Sequence, residues 1–379
     1  MVDFRRTTIL PIWVLMGGVF FFVSTIGFGE TLSMRSTAEE AKNTSADTST
    51  VEKTDRVSKG IALAAAAVPG LLLHGSGHYV LGKKKTAYAL LKLELAALGG
   101  MVASGLYLGL TGASRYGNEI SIPILITSGG VFLNTFVADL VGVGGLHHRM
   151  GALRPRWSVS AGFTYVQDPQ FEVDSMASFR GEWSGERFYL ETSLDEAIRV
   201  RTRRYQILGG YRIPLRFDSE EILLGLGAAH TSYQPEGFAI NSVSVQIRAL
   251  FELARLGASL NGSFVRFNTG LAYQRGTQDG AASSTFDRLL LGGFGFGLRF
   301  PRNIVGEFFY NHRRDTLAGG TSPGPNQGSG FLGFLGTRFN VPLTQRFAMT
   351  SVFRIGSGRV LSVLLEYRSK EKNENETYK

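Results

Sequence analysis

Cysteine is absent from the 379 residues, which excludes disulfides, a thiol nucleophile, a thiolate metal site and a cysteine-borne lipid anchor. Lysine is absent between Lys92 and Lys370, so apart from histidine every cation in that long stretch is arginine. Proline is scarce, 11 residues against 48 glycines, and histidine occurs only 6 times. The net charge is +9, yet no basic helix and no zinc-ligand spacing accompanies it. Nucleic acid is therefore not an expected partner.

What is present changes sharply along the chain. Residues 1–29 read as an export signal: Arg5 and Arg6 precede an apolar run from Ile9 to Phe28, and Gly27-Phe28-Gly29 supplies small residues for cleavage. The run is also long enough to span a membrane as an uncleaved anchor. Residues 30–56, rich in Ser, Thr, Ala, Glu and Lys, bury too little apolar surface to order themselves and read as a disordered linker. Residues 57–150 form an apolar α-helical hairpin module. Two apolar stretches, about Thr86 to Leu110 and Ile120 to Gly144, are each long enough to cross a bilayer, and Gly105 and Gly109 suit close helix packing.

From 151 to 368 the pattern turns to period two. Trp157, Val159, Ala161, Phe163 and Tyr165 alternate with Ser158, Ser160, Gly162 and Thr164, and Phe188, Leu190 and Leu194 alternate with Tyr189, Glu191, Ser193 and Asp195. Strand side chains alternate between faces, so each segment has one apolar face and one polar, often charged, face. That arrangement predicts a membrane all-β barrel, antiparallel, of about 12 strands, apolar side to lipid. The strands are expected at 155–167, 171–184, 187–199, 202–217, 221–233, 239–253, 263–275, 285–300, 303–314, 329–341, 345–355 and 358–368. Counted from a periplasmic start, the long connections fall on the outer side and the turns at 184–186, 218–220, 301–302 and 343–345 on the inner side, with 254–262 the one longer inner exception, as in outer-membrane barrels. A polar tail, 369–379, follows.

These features resemble a Gram-negative outer-membrane β-barrel protein. Gly358, Leu361, Val363, Leu365 and Tyr367 are similar to the carboxy-terminal assembly signal of that class, which implies recognition by the barrel-assembly machinery, outer-membrane lipid as surroundings and the cell outer membrane as location. Pro69, Gly70, Gly77, Tyr79 and Gly82 resemble the turn of the TM2-like membrane hairpins, with His78 in place of that pattern's glutamine.

The polar parity puts Arg180, Glu191, Asp195, Arg204, Arg212, Arg216, Arg248, Glu252, Arg266, Arg299, Glu307, Arg338 and Arg354 in the lumen. Arginine's planar fork can hold two carboxylates at once. Such a lumen is either cross-linked and stiff, in a structural envelope component, or a charged eyelet of a porin-like pore passing small polar solutes. Neither needs a cofactor.

Two places could carry chemistry. His74 and His78, with Glu94 and Asp139 in otherwise apolar helices, could form a metal or proton site, or hydrogen bonds that lock the helices. His230-Thr231-Ser232 resembles the His-x-Ser pair of the outer-membrane phospholipase and lipid A deacylase barrels, which implies His230 as base and Ser232 as nucleophile of a lipid hydrolase. Tyr233 stands where that pattern has asparagine.

Overall fold

The computed structural model describes residues 48–111, 115–145, 155–167, 175–199, 202–215, 220–233, 237–278, 286–312, 333–356 and 358–369. The expected signal at 1–29, the tail beyond Ser369 and Arg216 lie outside them. Among the described residues four α-helices come first: α1 (Thr48–Ala67), α2 (Ser76–Val80), α3 (Lys84–Leu110) and α4 (Arg115–Gly144). The first begins within the segment expected to be a linker. Twelve strands follow: β1 (Trp157–Gln167), β2 (Ser175–Ser184), β3 (Phe188–Ala197), β4 (Arg203–Pro214), β5 (Glu221–Tyr233), β6 (Phe238–Glu252), β7 (Ser263–Gln278), β8 (Phe286–Arg299), β9 (Val305–Asn311), β10 (Phe334–Pro342), β11 (Phe347–Ile355) and β12 (Arg359–Arg368).

Each strand pairs antiparallel with its sequence neighbours, and β1 closes on β12 in a register running from Ser158↔Arg368 to Gln167↔Arg359. Closure leaves no sheet edge, the condition for a strand structure to sit in lipid. The even count returns Trp157 and Arg368 to one end, where the connections Ser184–Phe188, Arg299–Val305 and Pro342–Phe347 are short. By the usual rule of short periplasmic turns, that end is periplasmic.

The alternation is realised as expected. On β1, Val159, Phe163 and Tyr165 stand out from the wall, whereas Ser158, Ser160 and Thr164 are buried on the inner face. Rings cluster at the periplasmic rim, with Trp157–Tyr367 centroids 5.6 Å apart, Phe188–Tyr211 5.5 Å and Phe347–Tyr367 5.2 Å. An aromatic girdle belongs at a membrane interface, because these rings are apolar with a polar tip.

One sector of the outer wall breaks the pattern. Along β6, Val243 and Val245 are 58% and 60% exposed, but Ala249 and Phe251, on the same face, are only 6% and 4% exposed. Val265, Phe267, Phe294 and Phe296 on β7 and β8 are buried too. The helical hairpin covers them. Leu90 and Ala97 of α3 and Val131 and Ala138 of α4 form one apolar cluster with these outward barrel residues, and the Phe267 and Phe294 rings lie tilted to each other with centroids 5.4 Å apart. A Cβ built on Gly130 of α4 would come within 2.7 Å of the Phe294 ring, so the helix rests directly on that side chain. Further along α4, Pro123 lies beside Gly292, and Gly142 lies against Leu260 of the β6–β7 turn. The helix thus follows the wall from the periplasmic turn to the middle of β8.

Both α3 and the Ser121–Gly144 part of α4 are long and apolar enough to cross a membrane. The hairpin therefore lies beside the barrel rather than in its lumen. The helices are in close contact where a Cβ on Gly100 would meet Ser128. Gly105 and Gly109, which the sequence suggested for this contact, face open space.

Candidate functional site

Inside the barrel, charge pairs reach between strands that are not neighbours. Arg248 on β6 donates to Glu191 on β3 at 2.9 Å. With β4 and β5 between them, that bond can only cross the concave side. Arg299 on β8 pairs with Glu252 on β6 while its guanidinium lies 5.0 Å from the Phe264 ring centre. Glu307 is shared by Arg266 at 3.1 Å and Arg338 at 3.7 Å, the two-sided bridging that adjacent guanidinium groups allow. Arg212 meets Glu221 at 2.7 Å, and Asn340 links Arg368 and Glu366. At the periplasmic rim Arg255 grips Glu220 with two bonds, of 2.7 and 2.5 Å.

Three of the expected lumen residues stand apart from these pairs. Among the described residues, no carboxylate lies within ion-pair distance of Arg180, Arg204 or Arg354, and the Nε of Arg180 is buried without a hydrogen-bond partner. The charges of Arg180 and Arg338, the opposing carboxylate of Asp195, and Arg204 all bear on Arg354. Asp195, opposite Arg204 in the β3–β4 register, instead accepts from Ser178 Oγ at 2.5 Å. Part of the lumen is thus a lattice of ion pairs, and in another part arginines stand near Asp195, Glu182 and Glu191 without an ion pair.

On the outer wall, His230 faces Tyr205, rings 6.4 Å apart, and its Nδ1 lies 2.8 Å from Asn241 Oδ1 on the next strand. A lateral recess of about 890 Å³ includes Tyr205, His230, Asn241 and Tyr273 in its lining. Among the described residues no hydrogen bond joins Ser232 to His230. Residues two apart on a strand share a face but stand about 7 Å apart.

The helical module holds the second cluster at the periplasmic end. His74 donates its backbone N–H to Glu94 Oε2 at 2.9 Å, and its Nδ1 meets Thr135 Oγ1 at 2.6 Å. Burial pulls the His74 imidazole below its ordinary pKa, with the Glu94 and Asp139 carboxylates pulling it back. His78 is engaged separately. Its Nδ1 lies 2.5 Å from Asp139 Oδ1 and its Nε2 2.9 Å from Ser259 Oγ in the β6–β7 turn. Asp139 is fixed in turn by the backbone N–H groups of Gly75, Gly77 and His78 at 3.0–3.1 Å. Gly75 has φ +92°, a conformation that a side chain would strain. His74 and His78 thus serve different carboxylates, and among the described residues no three His, Cys, Asp or Glu side chains converge as a metal site. Ser259 carried no sequence signal: it is 181 residues from His78.

No protein-family model matches the sequence, and no curated protein matches it. Among solved structures, the chain is similar to the Acinetobacter baumannii outer membrane protein Omp33, with 10% identity over 58% of this chain and 100% of that one and a TM-score of 0.34. It is similar to outer membrane phospholipase A from Escherichia coli, with 12% identity over 58% and 96% of the two chains and a TM-score of 0.34. The translocator domain of the autotransporter NalP from Neisseria meningitidis gives 14% identity over 59% and 91% and a TM-score of 0.32. The assignment rests on the barrel itself. A closed, even-stranded antiparallel wall with an apolar, aromatic-rimmed exterior and a charged interior is an outer-membrane β-barrel, and its place is the cell outer membrane.

Proposed function

We propose that the barrel is a narrow pore for small polar solutes that prefers anions. The observation that carries this reading is the set Arg180, Arg204 and Arg354, which share the lumen without a carboxylate at ion-pair distance among the described residues. A purely structural lumen would gain from pairing every buried cation, because an uncompensated buried charge is costly. Guanidinium groups without a carboxylate at ion-pair distance instead offer a transient counter-charge to a passing anion. The pairs Arg248–Glu191, Arg299–Glu252 and Glu307 with Arg266 and Arg338 then hold the wall around that constriction. Planar-bilayer recordings test the reading. Under a salt gradient the full-length protein gives a reversal potential on the anion side, and Arg354→Gln together with Arg180→Gln moves it toward the cation side. A barrel that never conducts overturns the proposal.

A second reading, a lipid hydrolase at the outer rim, is favoured by the His230–Asn241 bond, which would orient the imidazole beside Ser232. The gap between Ser232 and His230 counts against it. Loss of lipid hydrolysis on Ser232→Ala is its test, and hydrolysis unchanged by that substitution removes it.

A further inference from the structure

We propose that Ser259, His78 and Asp139 form a nucleophilic relay that hydrolyses acyl esters at the periplasmic surface of the membrane. The three come from different parts of the chain: a turn of the barrel, the short helix α2 and the hairpin helix α4. They meet in one line. Asp139 Oδ1 stands 2.5 Å from His78 Nδ1, and His78 Nε2 stands 2.9 Å from Ser259 Oγ. Asp139 accepts three backbone N–H bonds besides, which fix the orientation of its carboxylate. Such a carboxylate fixes the tautomer in which Nδ1 carries the proton, leaving Nε2 free to accept from the serine hydroxyl. This is the arrangement of roles required of an activated serine.

The burial is graded in the order that chemistry needs. Asp139 and His78 are fully buried, while Ser259 is partly exposed. The ring has no slack: a Cβ on Gly142 would come within 2.7 Å of the His78 Cε1 and within 2.8 Å of its Nε2. A plain clamp between helix and turn would need only the His78–Ser259 bond. It would not need a carboxylate, itself costly to bury, behind the imidazole.

The surroundings fit an ester held in a membrane. Thr86, at the start of α3, touches Gly257 two residues before the serine, so exposed Lys83, Lys84 and Lys85 lie along the same rim. Leu71, Leu72 and Leu73 beside α2 are 56–77% exposed. Ammonium groups beside an apolar lip suit the phosphate and acyl chains of an anionic glycerophospholipid. In the reaction Ser259 Oγ attacks the ester carbonyl carbon and its proton passes to His78 Nε2, whose positive charge Asp139 balances. The bond from carbonyl carbon to alkoxide oxygen breaks as that proton moves to the leaving lysolipid alkoxide. Water then attacks the acyl-serine by the same path, releasing the fatty acid and restoring the hydroxyl.

The test is active-site labelling of the full-length protein in detergent with a fluorophosphonate probe, the adduct being mapped by mass spectrometry. Fatty-acid release from phosphatidylglycerol micelles is followed in parallel. The proposal expects an adduct on Ser259 and loss of both signals in Ser259→Ala, which leaves His78 and Asp139 in place. Asp139→Asn should slow labelling by about 10³–10⁴-fold. The heat-dependent gel mobility of the folded barrel verifies that each variant folds. A folded wild type that yields no Ser259 adduct, or that releases fatty acid as fast as Ser259→Ala does, overturns the proposal and makes the triad a docking clamp. Labelling is independent of conductance, so this outcome and the fate of the pore reading are separable.

Discussion

Gly142 shows how a single residue sets the helix–barrel contact. A methyl group there collides with the His78 ring on one side and approaches Leu260 on the other. Overpacking of this kind typically costs about 1–3 kcal/mol, so Gly142→Ala should loosen α2 and the β6–β7 turn together, measured as faster proteolysis near Ser259 with the barrel's heat-resistant gel mobility intact. His74 predicts a pH dependence. Its pKa is lowered in the folded protein, so the unfolded chain binds the proton more readily. Stability is full above the ordinary histidine pKa of about 6.5 and is lost as pH falls through that value toward the lower folded one. Thermal unfolding of the helical module followed from pH 8 to pH 5 should show that decline, and His74→Gln should flatten it.

At the scale of elements, strand and hairpin were legible for different reasons. Alternation such as Ser158-Val159-Ser160 fixes which face meets lipid, and the structure places all twelve strands within a few residues of the expected segments. The apolar stretches announced the helices equally well. Their location was not legible, because a helix that is apolar all round looks the same whether lipid or protein surrounds it. The covered sector, Phe251, Phe267, Phe294 and Phe296, also reads in sequence like any lipid-facing wall. Ser259 was hidden for a third reason: a turn serine acquires its partner only through a tertiary contact. Parity predicts an arginine-rich lumen, but which arginines form ion pairs depends on which side chains reach across. Since the chain has no cysteine, single-cysteine labelling can test the docked hairpin. A fluorophore on Val245→Cys should be quenched by brominated lipid, and one on Phe296→Cys should be shielded. Equal quenching at both sites would detach the hairpin from the barrel.

At the scale of the whole molecule, three neighbours share one wall: a charged lumen inside, lipid outside, and a helical hairpin against one sector of the exterior. Because the hairpin lies outside, the lumen's charge alone should govern permeation, and the most direct measurement is single-channel recording of the full-length protein under a tenfold potassium chloride gradient. The account predicts discrete conductance with a reversal potential of anion sign, reduced by Arg180→Gln with Arg354→Gln. A silent full-length barrel that conducts only after residues 57–150 are removed would place the hairpin in the conduction path and contradict the account.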